Sequence, residues 1–316
     1  MTDPIVVTLG PSGIDRYFEA DVWPELGDKT MLREPTTTYG GMIANTACVL
    51  ASLGVRTRHI ERIGADGADG VLGAFRDAGV DTSLVQVSET ARSCTCYVVR
   101  VGGERTILID DSGREPLAVD DAVREALRQA SVVVTSLAEL RVPAIRDAVF
   151  AASGARLVLD VETAGLADHD LDLESVRRAR WVCISPDALA ALGLTAQELA
   201  AGGREVVVTR GSRGSTVHAG DRAVDLPAIR VDAVDTTGCS DTYLAAYVAA
   251  RLRDDDVAAA GRFATAAAAR AATLVGPRAG MASTETVEAF LREHSRHTSP
   301  QHEAPDAPAA RDGEPR

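Results

Sequence analysis

The chain has 316 residues, 46 % of them hydrophobic, with a mean hydropathy near zero and a formal net charge of −13. That length and apolar content suit one large α/β domain or two small ones with a substantial core. So acidic a balance argues against a nucleic-acid partner, which needs a basic face, and the longest apolar runs (Val132 to Val134, Val206 to Val208, and alanine-rich stretches) argue against a membrane span.

The N-terminal segment from Met1 to Val7 has no basic region and enters a strand at once, so no signal peptide is expected and the cytoplasm is the expected location. The five cysteines, Cys48, Cys94, Cys96, Cys183 and Cys239, are scattered, form no C-x-x-C pair and lack zinc-ligand spacing, as suits reduced thiols. Taken in chain order, strand-like runs alternate with helical patterns. Ile5 to Leu9 precedes Ile43 to Leu53, and Ser131 to Ser136 precedes Pro143 to Ala152. Leu157 to Val161, then Trp181 to Ile184 with Leu189 to Leu194, and then Glu205 to Thr209 continue the series. This rhythm predicts an α/β fold with a mostly parallel central sheet flanked by helices. Ligands then bind beyond the carboxyl ends of the strands.

Two stretches break the rhythm. Leu32 to Tyr39 and Cys94 to Ile109 carry β-formers, and the second holds a Gly102-Gly103 turn, so it is expected to be a hairpin. Together they predict a small extra β-sheet, with its strands within about 15–39 and 92–112. The domain is expected to span 1–294, and 295–316, rich in Pro, Ala and charge, to be a disordered tail.

The chemistry concentrates in Val231 to Ala250. Asp235-Thr236-Thr237-Gly238 makes a turn that leads straight into a helix, with Leu244, Tyr247 and Val248 at helical spacing. Amides from Gly238, Cys239, Ser240 and Asp241 at a helix N-terminus suit an anion, and Asp241 beside them is a candidate base. Two plainer alternatives stand beside this. Ser240 or Asp241 can simply cap a helix. Cys239 could be a nucleophile, but no histidine lies in a recognisable catalytic motif to activate it. Far upstream, the pair Gly40-Gly41 opens a second helix with Asn45 one turn in, where a carboxamide suits a sugar hydroxyl.

In this order the motifs resemble the ribokinase-like (PfkB) carbohydrate kinase family, and the resemblance covers nearly the whole chain. Gly10 followed by Asp15, Gly40-Gly41 with Asn45, Ile63-Gly64-Ala65-Asp66 with Gly70, Ala78 to Asp81, Val208 to Gly214, and Asp235 to Gly238 with Asp241 all fall in register. The resemblance implies ATP-dependent phosphorylation of a hydroxyl on a sugar or sugar-like molecule, with Asp241 as the base and the Gly238–Asp241 amides as the anion hole. It implies that Asp15, Gly40, Gly41 and Asn45 hold the substrate, and that Thr209, Gly211 and Gly214 line the ATP site. It further implies Mg²⁺, a monovalent cation such as K⁺ near Asp235 and Thr237, and a β lid over the sugar through which two copies can pair. A nucleoside kinase of the same fold, or a catalytically inactive sugar-binding relative, are the alternatives.

Other phosphoryl-transfer designs are absent. The sole lysine, Lys29, fits neither a P-loop nor a protein-kinase strand, and Gly10-Pro11-Ser12-Gly13 is not a dinucleotide fingerprint. The chain departs from the family in two places. Gly238-Cys239-Ser240-Asp241 stands where Gly-Ala-Gly-Asp is usual. The Asn-x-x-Glu element that organises Mg²⁺ is replaced, with Asp187 at its first position and Ala190 at its last. Asp187 is therefore the candidate for Mg²⁺, with Glu162 as the substitute.

Overall fold

The structure is a computed structural model and describes residues 3–102, 104–152, 154 and 156–295. The expected tail beyond Ser295, and Gly103 of the expected turn, lie outside the described residues.

The strands are β1 (Ile5–Leu9), β2 (Gly13–Glu19), β3 (Arg33–Gly40), β4 (Arg56–Ile60), β5 (Arg62–Gly64), β6 (Gln86–Ser88), β7 (Cys94–Val101), β8 (Glu104–Asp110), β9 (Val132–Ser136), β10 (Arg156–Val161), β11 (Trp181–Ile184), β12 (Glu205–Thr209), β13 (Ser215–Ala219) and β14 (Arg222–Leu226). The helices are α1 (Met42–Ser52), α2 (Ala68–Asp77), α3 (Asp121–Gln129), α4 (Leu137–Leu140), α5 (Pro143–Ala151), α6 (His169–Arg178), α7 (Pro186–Ala191), α8 (Ala196–Ala200), α9 (Cys239–Leu252), α10 (Val257–Ala272) and α11 (Thr284–Ser295).

Eight strands form the main sheet in the order β14-β13-β12-β11-β10-β9-β1-β4. Six of them, from β12 to β4 in that order, are parallel, and the hairpin β13-β14 closes one edge antiparallel. Alternation along each strand decides which face a residue joins. Val133, Leu159, Val182 and Val206 point into a core with the α3–α8 side. Val132, Val158, Trp181 and Val207 point the other way, against α1, α9 and α10. A sheet buried on both faces accounts for the near-continuous apolar strands.

The second sheet has the order β3-β2-β7-β8. The hairpin β7-β8 lies within the expected range, and β3 matches the other irregular stretch. The central strand β2 pairs parallel with β7, bringing Asp15 opposite Cys96. That arrangement sets one edge of this sheet against the carboxyl end of β1, where α1 begins.

Two further features agree with the sequence. Alanine-rich α10 spans Val257–Ala272, and Asp256 caps it by accepting from the Ala259 amide at 2.7 Å. Tyr243 and Tyr247 are buried in the core, where Tyr247 donates to Glu205 at 2.6 Å and Arg251 bonds the same carboxylate.

Candidate active site

Four segments converge beyond the carboxyl ends of the parallel strands. The turn after β1 leads into β2, which carries Asp15 as its third residue. The turn between β3 and α1 carries Gly40 and Gly41. The loop before α9 carries Asp235 to Gly238, and the turn after β12 carries Thr209 to Gly214.

Gly40 makes room for a neighbour. A Cβ there would collide with the Asp15 carboxylate, so the glycine allows Asp15 to lie directly against the backbone. The helix opened by this turn buries Asn45, whose Nδ2 donates to Asp241 Oδ2 at 2.8 Å. Asp15, Asn45 and Asp241 are only 6 %, 4 % and 5 % exposed. Polar groups so enclosed are kept only where they are bonded or used.

Gly238 caps α9 with φ 75°, a left-handed conformation that glycine adopts without strain. It turns the chain so that the first helical amides face outward. Thr242 is the first residue whose N–H returns to the helix, bonding Gly238 O at 2.9 Å, whereas the Cys239 N–H turns back to Thr236 O at 3.3 Å. The amides of Gly238, Ser240 and Asp241 are therefore the better donors for an anion, and that of Cys239 is the one already engaged. Asp235 shapes this loop. Its Oδ1 accepts from the Thr237 amide at 2.9 Å and hydroxyl at 2.7 Å, and its Oδ2 accepts from the Gly276 amide at 3.0 Å. Burial would raise its pKa, but these bonds and Arg105 hold it below the ordinary value.

A cavity of about 580 Å³ opens beside the loop. Thr209, Gly211 and Gly214 line it from one side, Cys239 and Ser240 from another, and Ala268 of α10 from a third. The residues expected to hold ATP thus share one chamber with Cys239 and Ser240, whereas Gly238 and Asp241 do not line it.

The electrostatics single out the carboxylates. Burial pushes Asp241 up to about 7; the Asn45 amide opposes this shift and Glu162 adds to it. Asp15 rises to about 6, again by burial, with the Cys96 thiol and Arg278 pulling it down. Asp160 is held well above the ordinary range by burial, then by Asp241 and Glu162. Perturbed, mutually interacting carboxylates grouped inside a protein are a mark of function. Asp187, by contrast, is exposed in the first turn of α7 and is not among the charges bearing on Asp241.

Several residues here had no signal in the sequence. Arg105 on β8 reaches the loop, with Nη1 3.3 Å from Thr236 Oγ1 and 3.6 Å from Asp235 Oδ1. Arg278 contacts Asn45, and Asp160 sits beneath the site. Arg105 and Asp160 lie in segments patterned as strands, but that pattern names no contact for a single charged side chain, and Arg278 lies in no pattern at all.

The pfkB family carbohydrate kinase description matches residues 6–155 and 179–284 of this chain. The chain belongs to that family. As a pfkB carbohydrate kinase it is an ATP-dependent enzyme that phosphorylates a sugar hydroxyl, on the ribokinase-like fold. It is similar to the ATP-dependent ribose-1-phosphate kinase of Halopiger xanaduensis, 30 % identical over 296 residues covering 91 % of this chain and 98 % of the relative. It is also similar to the ribokinase of Staphylococcus aureus, 26 % identical over 272 residues covering 81 % and 88 %. Among solved structures, the nucleoside kinase of Methanocaldococcus jannaschii superposes with a TM-score of 0.80 at 17 % identity, covering 92 % of this chain and 98 % of that one. No helix among the described residues is long and apolar enough to cross a membrane.

Proposed function

We propose that this kinase transfers the γ-phosphoryl of ATP to a hydroxyl of a ribose-type substrate, free, phosphorylated or within a nucleoside, with Asp241 as the general base. The observation that carries the proposal is the buried 2.8 Å bond between Asn45 and Asp241, the latter following directly on Cys239 and Ser240, which line the cavity. A carboxylate with its pKa near 7 is well matched to taking a proton from a hydroxyl at neutral pH.

In this account Asp15, Gly40, Gly41 and Asn45 hold the acceptor. The adenine nucleotide lies in the cavity beside Thr209, Gly211 and Gly214. Amides at the start of α9 stabilise the charge on the moving phosphoryl, aided by the helix dipole. The four-stranded sheet closes over the acceptor as a lid. Its outer strand β8 exposes Ile107, Leu108 and Ile109, an edge on which a second copy would pair. The net charge of −13 suits an enzyme acting on small molecules rather than on nucleic acid.

No group of three or more His, Cys, Asp or Glu side chains among the described residues forms a metal site by itself, so Mg²⁺ would arrive with the nucleotide and meet single carboxylates near the base. Asp160 Oδ2 is buried without a partner among the described residues, and Glu162 is solvent-accessible yet crowded enough by protein to have a raised pKa. Glu162 and Asp160, which bear electrostatically on Asp241, are therefore stronger candidates than Asp187 to hold a nucleotide-bound Mg²⁺, which would offset phosphate charge. A monovalent cation at Asp235 and Thr237 fits less well. Both Asp235 oxygens already accept hydrogen bonds and Arg105 faces them. Turnover is expected to be the same in K⁺ and in a bulky organic-cation salt.

The test is ADP release with Mg-ATP across ribose, ribose 1-phosphate, fructose and nucleosides. One ribose-containing acceptor should stand out in kcat/KM by at least about tenfold. Preference for a hexose would overturn the substrate assignment, and binding of an acceptor without any ADP would favour an inactive binding relative.

A further inference from the structure

Arg278 lies in the loop between α10 and α11, and no role in the reaction has so far fallen to it. Its Nε faces Asn45 Oδ1 at 3.4 Å, long for a hydrogen bond but with a full charge directed at a carbonyl dipole. Its guanidinium lies over the ring of Phe75, 5.1 Å from the centroid, and Phe75 is fully buried. Nη1 and Nη2 are enclosed, with no partner among the described residues. The head group therefore cannot retreat to water; its hydrogen-bond partner is Asn45, and its charge is also felt by Asp15.

The loop bearing Arg278 is anchored to the reaction centre. The Gly276 amide donates to Asp235 Oδ2 at 3.0 Å, and a Cβ on Gly238 would strike the Pro277 carbonyl. Arg278 is thus held by the anion loop at its backbone and by Phe75 at its tip.

We propose that Arg278 is a positioning residue that fixes the orientation of the Asn45 carboxamide, so that its N–H rather than its C=O faces Asp241. A primary amide can turn over with little change in shape, presenting either an acceptor or a donor pair. With the carbonyl turned toward Asp241, two oxygens would oppose each other and the ionised base would lose its donor. A cation on the far side, attracted to Oδ1, selects the other orientation. The inference rests on the assignment of Asp241 as base.

The test is a double-mutant cycle on kcat, at saturating Mg-ATP and acceptor, with Arg278→Met, Asn45→Ala and the pair together. Arg278→Met should lower kcat roughly 10–100-fold in the wild-type background, by analogy with other residues that orient a ligand through a neighbour. In the Asn45→Ala background it should cost less than about threefold, because its target is gone. An equal loss in both backgrounds, or a loss below about twofold in the first, would overturn the proposal. Arg278→Lys and Arg278→Gln each keep a donor for Asn45 and should stay within about fivefold of wild type. A loss beyond about tenfold in either overturns it as well, even if Arg278→Met does not fold. Asp241→Asn is measured alongside. If that variant is inactive while the cycle is multiplicative, only the Arg278 inference fails; if it keeps turnover, the base assignment fails first.

Discussion

Asn45 and Asp241 stand 196 residues apart in sequence, yet the side chain of one donates to the other at 2.8 Å inside the protein. The bond ties α1, which opens on the glycine pair, to α9, which opens on the anion loop. It brings the acceptor side and the phosphoryl side of the site within one contact. Thr46 adds to the tie, its Oγ1 lying 3.5 Å from the Asp241 carbonyl.

The pH dependence follows from that burial. Asp241, raised to about 7, is half ionised there and mostly protonated a unit below. As the base it must be ionised, so kcat/KM should climb about tenfold per pH unit below 7 and level off above it. Asp15, at about 6, steepens the fall further into acid. A profile flat from pH 5 to 8 would contradict this.

The same shift has an opposite consequence for stability. A carboxyl whose folded pKa exceeds its unfolded value of about 3.9 favours the folded state below that value. The benefit is lost as pH rises through about 7. Asp241→Asn removes the cost of a buried charge, so the ligand-free variant should melt a few degrees above wild type at pH 8. The difference should shrink steadily as pH falls from 7 and disappear only at about pH 4. Thermal melts of both proteins across pH provide the check.

Gly40 offers a test of the acceptor side. In Gly40→Ala the new methyl collides with the Asp15 carboxylate, the mobile end of a side chain that can yield. Acceptor KM should rise about tenfold or more while ATP affinity stays within about twofold, because the cavity beside Thr209 and Gly214 is untouched. Stability should drop by no more than about 1–2 kcal/mol. Isothermal titration with each substrate separates the two affinities.

Arg105 links the second sheet to the anion loop through partly exposed contacts with Thr236 and Asp235. Exposed ion pairs add little to stability, about 0–1 kcal/mol. Arg105→Ala should therefore leave the melting temperature nearly unchanged but lower kcat about tenfold, because lid closure over the anion loop is weakened. Stopped-flow turnover together with a melting curve checks both halves.

Much of this was legible in the sequence because the relevant residues sit in patterned segments. The apolar strands β9, β11 and β12 and the alanine-rich α10 announce themselves by run length and period. Gly40, Gly41 and Gly238 mark places where backbone must bend or admit a neighbour. β2 was harder to see. Its sequence Gly-Ile-Asp-Arg-Tyr-Phe-Glu mixes charges with apolar residues, with the acidic Asp15 among the buried ones. Arg278 and Arg105 were invisible for another reason. Each acts through contacts more than a hundred residues distant, 233 and 131 positions away, and no local rule refers to such partners. Asp187 took its candidacy from its place beside Pro186, whereas three-dimensional crowding brings Glu162 and Asp160 to the base.

The most direct test of the account is single-turnover transfer from Mg-ATP to the preferred acceptor by wild type and by Asp241→Asn. The account predicts a fall of about 10²–10⁴ in the transfer rate, with ATP affinity within about threefold of wild type because the nucleotide cavity is unaltered. A variant that transfers phosphoryl at close to the wild-type rate would show that the carboxylate bonded to Asn45 is not the base.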